Sequence, residues 1–193
     1  MHEELSGVRI MAYTAIDDPS AYFQTLLYTG NASANRALTN DGNSDLQPDW
    51  IWIKNRSATQ SHALFDSSRG ATKRISSNLS NAESTENTNL DSFDSDGFTI
   101  DQEAIVNGNG NGMVAWQWKA NGGTATATGA ESGNNPAYSA QANQTAGFSI
   151  ITYTGTGAEG DVTHGLGGKP DWIITKVRNG NADEPWPVWH KDL

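Results

Sequence analysis

The chain contains no cysteine. Disulfides, thiolate metal sites and cysteine nucleophiles are therefore excluded. Cations are scarce too: 12 Lys and Arg stand against 22 Asp and Glu, a formal charge of -10 over 193 residues. Such a surface repels phosphate backbones and no local basic patch offsets it, so no nucleic-acid partner is expected. No apolar run approaches the ~20 residues that a membrane-spanning helix needs, so no membrane insertion is expected. Met1-His2-Glu3-Glu4 is acidic and leads into no apolar stretch, so it does not read as a secretory signal. Leu, Lys, Arg and Glu are all sparse, which argues against long helices.

What is abundant points to a β-protein. Asn, Gly, Ser and Thr together exceed a third of the chain, yet seven Trp, five Tyr and five Phe are set among them. Aromatics between turn-forming residues imply short strands and many loops. A disordered chain lacks such aromatics. The expected class is all-β, an antiparallel β-sandwich or jelly-roll-like domain.

The chain also repeats itself. Phe23-Gln24-Thr25-Leu26-Leu27-Tyr28-Thr29-Gly30 matches Phe148-Ser149-Ile150-Ile151-Thr152-Tyr153-Thr154-Gly155 at an offset of 125. Pro48-Asp49-Trp50-Ile51-Trp52-Ile53-Lys54-Asn55-Arg56 matches Pro170-Asp171-Trp172-Ile173-Ile174-Thr175-Lys176-Val177-Arg178 at an offset of 122. Leu64-Phe65 falls weakly opposite Val188-Trp189 at an offset of 124. Four segments follow: an N-terminal anchor at 1–22, a first β repeat domain at 23–119, a Gly/Ala/Thr/Asn-rich linker at 120–147, and the start of a second repeat at 148–193. A β-domain cut at Leu193 lacks the strands that close its core. The preferred expectation is that the second repeat is truncated and the chain is the N-terminal part of a longer protein. The alternative is a half-copy that completes the first domain by packing against it.

Local signals place the elements. Asp17-Asp18-Pro19 is an acidic cap followed by proline at a first helical position, so a short helical turn is expected through Tyr22. Strands are expected at 23–29, 49–54, 63–65 and 74–75. The strand at 49–54 is apolar on both faces, so both should be covered. Two further strands, 98–106 and 113–119, are expected to form a hairpin across Asn107-Gly108-Asn109-Gly110-Asn111-Gly112, because Asn-Gly favours tight hairpin turns.

Candidate chemistry is thin. Asp94-Ser95-Asp96-Gly97 resembles part of a calcium loop with Glu103 in the twelfth place, but it would start on Ser92 and no helices flank it. A polar turn ahead of the strand at Phe98 is the simpler reading. His2, His62, His164 and His190 show no metal-ligand spacing. Gly108, Gly110 and Gly112 precede a strand rather than a helix, which excludes a dinucleotide loop. Asp49, Lys54 and Arg56 recur as Asp171, Lys176 and Arg178, and both a ligand site and a structural role fit that recurrence. The tryptophans suit either sugar stacking or a core, and strand spacing favours core for Trp50, Trp52, Trp116, Trp118 and Trp172. Sequons at Asn31, Asn55, Asn78 and Asn143 occur by chance in so Asn-rich a chain. No catalytic, cofactor-binding or metal-binding residue is nominated, no cofactor is expected, and any ligand-binding residues are unknown.

The matching stretches nevertheless resemble a repeat domain of tail-fibre-like structural proteins of tailed bacteriophages, especially marine ones. They include Ile16-Asp17-Asp18-Pro19-Ser20-Ala21-Tyr22-Phe23-Gln24, Gln47-Pro48-Asp49-Trp50-Ile51-Trp52-Ile53-Lys54-Asn55-Arg56-Ser57 and Leu64-Phe65-Asp66-Ser67-Ser68-Arg69-Gly70. Tyr28-Thr29-Gly30-Asn31, Ala71-Thr72-Lys73 directly after Gly70, Ser92-Phe93-Asp94-Ser95-Asp96-Gly97-Phe98, Val114-Ala115-Trp116-Gln117-Trp118-Lys119-Ala120, and Tyr153-Thr154-Gly155 with His164-Gly165-Leu166-Gly167 complete the set. One departure is Gln117, where the family often carries cysteine. The resemblance implies a non-enzymatic virion protein assembled in the host cytoplasm. It would be an N-terminal tail-fibre part that docks on tail or fibre-adaptor proteins, forms a homotrimer and presents repeats for host adsorption. Capsid decoration, a head fibre and a host-glycan-binding module are the alternatives.

Overall fold

The computed structural model describes residues 16–179 and 184–193. Residues 1–15 of the expected anchor lie outside the described residues. In chain order the strands are β1 (Phe23–Thr29), β2 (Arg36–Thr39), β3 (Trp50–Asn55), β4 (Ala63–Asp66), β5 (Lys73–Arg74), β6 (Ser84–Thr85) and β7 (Leu90–Asp94). After β8 (Gly97–Ile100) and a single helical turn, α1 (Ala104–Asn107), come β9 (Gly112–Trp118), β10 (Ala127–Gly129) and β11 (Tyr138–Asn143). The series ends with β12 (Phe148–Tyr153), β13 (Trp172–Ile174) and β14 (Val188–His190). The fold is all-β, antiparallel and sandwich-like. A turn of 3-10 helix at Pro19–Ala21 is capped by Asp18, which accepts from the Ser20 amide at 2.9 Å, as the Asp-Asp-Pro signal predicts.

Two sheets enclose the core. One has the order β1-β9-β3-β4 and the other β2-β8-β7. Alternation decides which side chains meet. Leu26, Ile51, Ile53, Phe65, Met113 and Ala115 project from the first sheet onto Leu38, Leu90, Phe98 and Ile100 of the second, and Ile105 and Val106 of α1 close one end. The tryptophans of β3 and β9 lie on the opposite face of the first sheet. Trp50, Trp52, Trp116 and Trp118 are half-buried there, not core. Phe148 of the second repeat packs on this face, 5.8 Å from the Trp50 ring and 6.2 Å from that of Trp118. Both faces of β3 are thus covered, but by different repeats.

The expected hairpin of 98–106 with 113–119 does not form. β8 ends at Ile100 and pairs with β2 and β7, whereas β9 runs between β1 and β3. The Asn-Gly run packs against the end of β1. Gly30 donates to the Asn111 carbonyl at 2.8 Å, and Gly110 donates to the Gly30 carbonyl at 2.8 Å. A Cβ on Gly30 would sit 2.1 Å from the Gly108 oxygen, so glycine permits this approach. Buried Asn107 locks the run. Its Oδ1 accepts from the Asn31 amide and Arg36, and its Nδ2 donates to the Ser33 and Asp101 carbonyls.

The tight turn lies instead at Asp94-Ser95-Asp96-Gly97, where Asp94 pairs with Gly97. Gly97 has φ +111, and a Cβ there would lie 2.0 Å from the Leu38 carbonyl oxygen on β2. Gly97→Ala is expected to destabilise the fold by about 1–3 kcal/mol. Urea unfolding checks this, and an unchanged midpoint would refute it.

The segment 120–147, expected as a linker, contains β10 and β11. β11 pairs with β12 along its whole length, so 127–153 forms a three-stranded sheet. Its composition misled because the packing there requires small residues. Ala140 is buried, and Ala142 leaves only 2.9 Å to a Cβ built on Gly165. A sequence signal was present: Ala12-Tyr13-Thr14-Ala15 matches Ala137-Tyr138-Ser139-Ala140 at the same offset of 125. The repeat therefore begins upstream of Phe23 and Phe148.

The two hairpins share one register. β3 and β4 pair Trp50 with Asp66, Ile51 with Phe65 and Trp52 with Leu64. β13 and β14 pair Trp172 with His190, Ile173 with Trp189 and Ile174 with Val188. Each pair is displaced by the same 122 and 124 residues. The amide of Ser67 donates to the Asp49 carbonyl at 2.9 Å, and that of Lys191 to the Asp171 carbonyl at 3.0 Å. The weak Val188-Trp189 match thus marks an equivalent strand.

Candidate functional site

The recurring charged residues have diverged in role at two of their three positions. Asp49 is fully buried at the start of β3. Its Oδ1 accepts from Ser67 Oγ and the Gly123 amide, and its Oδ2 from the Ala120 and Gly122 amides at 2.7 and 2.9 Å. It ties β3, the turn after β4 and the segment after β9 into one knot. Gln141 of β11 extends the knot, accepting from the Asn121 and Gly123 amides and donating to Ser67 and Ser68. Its counterpart Asp171 is exposed and pairs with Lys191 at 3.1 Å.

Lys54 and Lys176 do the same work in both copies. Lys54 Nζ donates to the Gln60 carbonyl at 2.9 Å, and Lys176 Nζ to the Glu184 carbonyl at 2.8 Å. Each lysine holds the loop of its own hairpin. Lys176 also donates to the Ser80 carbonyl. Arg56 is exposed, whereas Arg178 lies 3.5 Å from Glu83, which also pairs with Arg69 at 3.0 Å. Trp186 Nε1 bonds the Ser76 and Leu79 carbonyls, so 76–83 is the seat on which the second hairpin rests.

The loop between β3 and β4 forms an open groove of about 750 Å³, lined by Lys54, Arg56, Gln60, His62 and Asn78 among others. Buried Asn55 shapes it, accepting from the Ser57 and Ala58 amides and donating to the Ala104 carbonyl. That burial also rules out Asn55 as a glycan acceptor. Its lining offers cations and amides but no carboxylate. Those groups can offer a ligand charge and hydrogen bonds.

His62 closes the groove. Trp52 Nε1 donates to His62 Nδ1 at 2.7 Å, so the neutral ring carries its proton on Nε2. Desolvation, and then the nearby Lys54 charge, lower the His62 pKa below 6.5. Stability from this pair is fully present above the unfolded-state value and is lost as pH falls through the lowered folded value. From about pH 7 to about pH 5 the urea midpoint is expected to fall and Trp52 emission to change, and His62→Phe should remove the emission change.

The calcium-like carboxylates serve the hairpin. Asp94 accepts from Ser92 Oγ at 2.6 Å and Thr99 Oγ1 at 2.8 Å, and Asp96 from the Leu46 amide at 3.2 Å. Glu103 stands at the N-cap position of α1, but its carboxylate makes no capping bond and accepts instead from Thr88 Oγ1 at 3.3 Å. Among the described residues no three His, Asp or Glu side chains come together as a metal site. His164 and His190 each accept a local backbone amide, from Leu166 and Asp192. His2 lies outside the described residues. The structural centres at Asp49, Asn107 and Gln141 carried no sequence signal beyond the repeat of Asp49, because most of their partners lie far along the chain; Asn55 adds to its local bonds with the Ser57 and Ala58 amides a distant one to the Ala104 carbonyl.

No curated protein and no solved structure matches the chain. Residues 18–193, running through both repeats, match the family described as a domain of unknown function, DUF7483, and the chain belongs to that family.

Proposed function

We infer that this chain is a non-enzymatic structural protein of a bacteriophage particle, a tail-fibre segment that presents β repeats for host adsorption. The resemblance to tail-fibre-like repeats motivates the reading. The observation that carries it is the common register of the β3–β4 and β13–β14 hairpins, since serial β units suit a protein that extends by repetition. The buried polar groups support it. Asp49, Asn55 and Asn107 each hold backbone together. Partners are tail or fibre-adaptor proteins, and the oligomer is a homotrimer. Gold-labelled antibody against the chain, applied to phage particles that encode it, should decorate the tail. Labelling over the capsid would transfer the reading to a decoration or head-fibre protein, and absence from particles would end both.

The groove at Lys54, Arg56, His62 and Asn78 favours a second reading, a host-glycan-binding module. A glycan array should show binding to acidic glycans that Arg56→Ala removes. No binding by the intact chain would dismiss it.

A further inference from the structure

The second sheet carries carboxylates and a buried amide that nothing in the chain satisfies. Leu90 of β7 pairs with Ile100 of β8, and both project into the core. Alternation turns their neighbours Asn89, Asp91 and Asp101 to the outer face of that sheet. The Asp101 amide donates to the Asn89 carbonyl at 2.8 Å, so the ladder continues past Leu90 and sets Asn89 directly opposite Asp101. Side chains so paired leave the backbone about 5 Å apart. The register shift between Leu90 and Ser92 places Asp91 beside them as the extra residue of a bulge.

Asn89 is 0% exposed, yet neither its Oδ1 nor its Nδ2 has a hydrogen-bond partner. Asp91 Oδ2 is shut off from solvent and equally unpartnered. Folded proteins seldom leave buried polar atoms in this state. Nearby carboxylates are better served. Asp94, farther along β7, accepts from the Ser92 and Thr99 hydroxyls, and Asp101 Oδ1 accepts from the Gln102 amide at 2.8 Å. Neither Asp91 nor Asp101 pairs with a lysine or arginine among the described residues.

Burial, and then the charge of Asp101, push the Asp91 pKa above the ordinary aspartate value. The backbone thus holds two like charges near each other, one of them partly withdrawn from water, against a buried amide. Such an arrangement is costly until a positive charge offsets it.

The geometry points to a site for a hard divalent cation of the calcium class, held by the Asp91 and Asp101 carboxylates and Asn89 Oδ1 across β7 and β8. The donors are all oxygens, with no imidazole or thiolate, and oxygen donors select calcium-like ions over transition metals. Two carboxylates neutralise the ion, the amide oxygen adds an uncharged ligand, and water fills the rest of a shell of about six to eight. Among the described residues no third His, Asp or Glu joins them. The site is distinct from the calcium-like turn at Asp94-Ser95-Asp96-Gly97, whose carboxylates already accept from the chain. A bound ion clamps β7 to β8 just ahead of α1. This inference stands apart from the functional reading above.

The test uses the full chain, stripped with EDTA and titrated with CaCl2 at fixed ionic strength. Calorimetry should show saturable binding to a single site with Kd on the order of 1 mM. The melting temperature should rise by about 3–5 °C at about 10 mM CaCl2. In isotope-labelled chain the Asn89 side-chain amide resonances should move with the same midpoint. Asp91→Asn should weaken binding about tenfold or more. In EDTA this variant should melt no lower than the parent chain, because it removes a repulsion and no hydrogen bond to Oδ2. Asp171→Asn, which removes an exposed carboxylate elsewhere, should bind calcium as the parent does. Absence of saturable binding would overturn the proposal. So would an equal rise in melting temperature for Asp91→Asn, which would reduce the effect to screening of the net charge. Binding that leaves the Asn89 resonances in place would put the ion elsewhere and overturn it too.

Discussion

Asp49→Ala is expected to destabilise the protein by about 2–4 kcal/mol, whereas Asp171→Ala, at the same place in the repeated motif, stays within about 0.5 kcal/mol. The difference is burial. Asp49 accepts from three backbone amides and one hydroxyl with no solvent exposure. Its removal strands those donors, the buried Ala120 amide above all. Asp171 is exposed, and its pairing with Lys191 is a surface contact that water replaces. Asp49→Asn is the sharper variant. Both carboxylate oxygens receive donors, so an amide of either orientation turns an NH2 group toward N–H or O–H donors. A loss of about 2 kcal/mol is expected despite the equal shape. Urea midpoints with a common slope measure all three. Equal effects at Asp49 and Asp171 would refute the divergence of the two sites.

Phe65→Ala is expected to cost about 3–5 kcal/mol, and Trp189→Ala no more than about 1 kcal/mol. Phe65 lies in the core cluster with Ile51, Ile53, Phe98 and Met113, where truncation leaves a cavity that the sheets cannot close. Trp189 occupies the equivalent position of β14 but is exposed, its ring 5.6 Å from the Lys169 ammonium. The larger aromatic therefore has the smaller effect. A large loss at Trp189 would mean that the second hairpin is already covered in the isolated chain.

Much of this was legible in the sequence. The strands at 23–29 and 49–54 followed from aromatic and β-branched residues at alternating positions, and both formed. The turn capped by Asp18 was legible because its partners, Ser20 and its amide, lie two residues away. The repeat was legible because apolar strands keep their pattern. Its upstream limit was missed because β11 is written in small residues, whose contribution is mostly backbone bonding. The hairpin across 107–112 was misread for a related reason. Asn-Gly favours a tight turn locally, but buried Asn107 and the contact of Gly30 with Gly108 bring that run against β1.

The amino-acid order by itself determined the all-β class, the duplication and the positions of the principal strands, because alternation and turn chemistry are local properties. Only the tertiary structure decided which face of the first sheet is core, since Trp50 and Ile51 are both apolar and the choice depends on what packs against each side. It also decided that Asp49 is a buried knot while Asp171 is a surface ion pair. The two share a motif, but the segment after β9 that donates to Asp49 has no counterpart beside Asp171 among the described residues. A side chain's role is set by the donors that reach it, and those arrive from far along the chain.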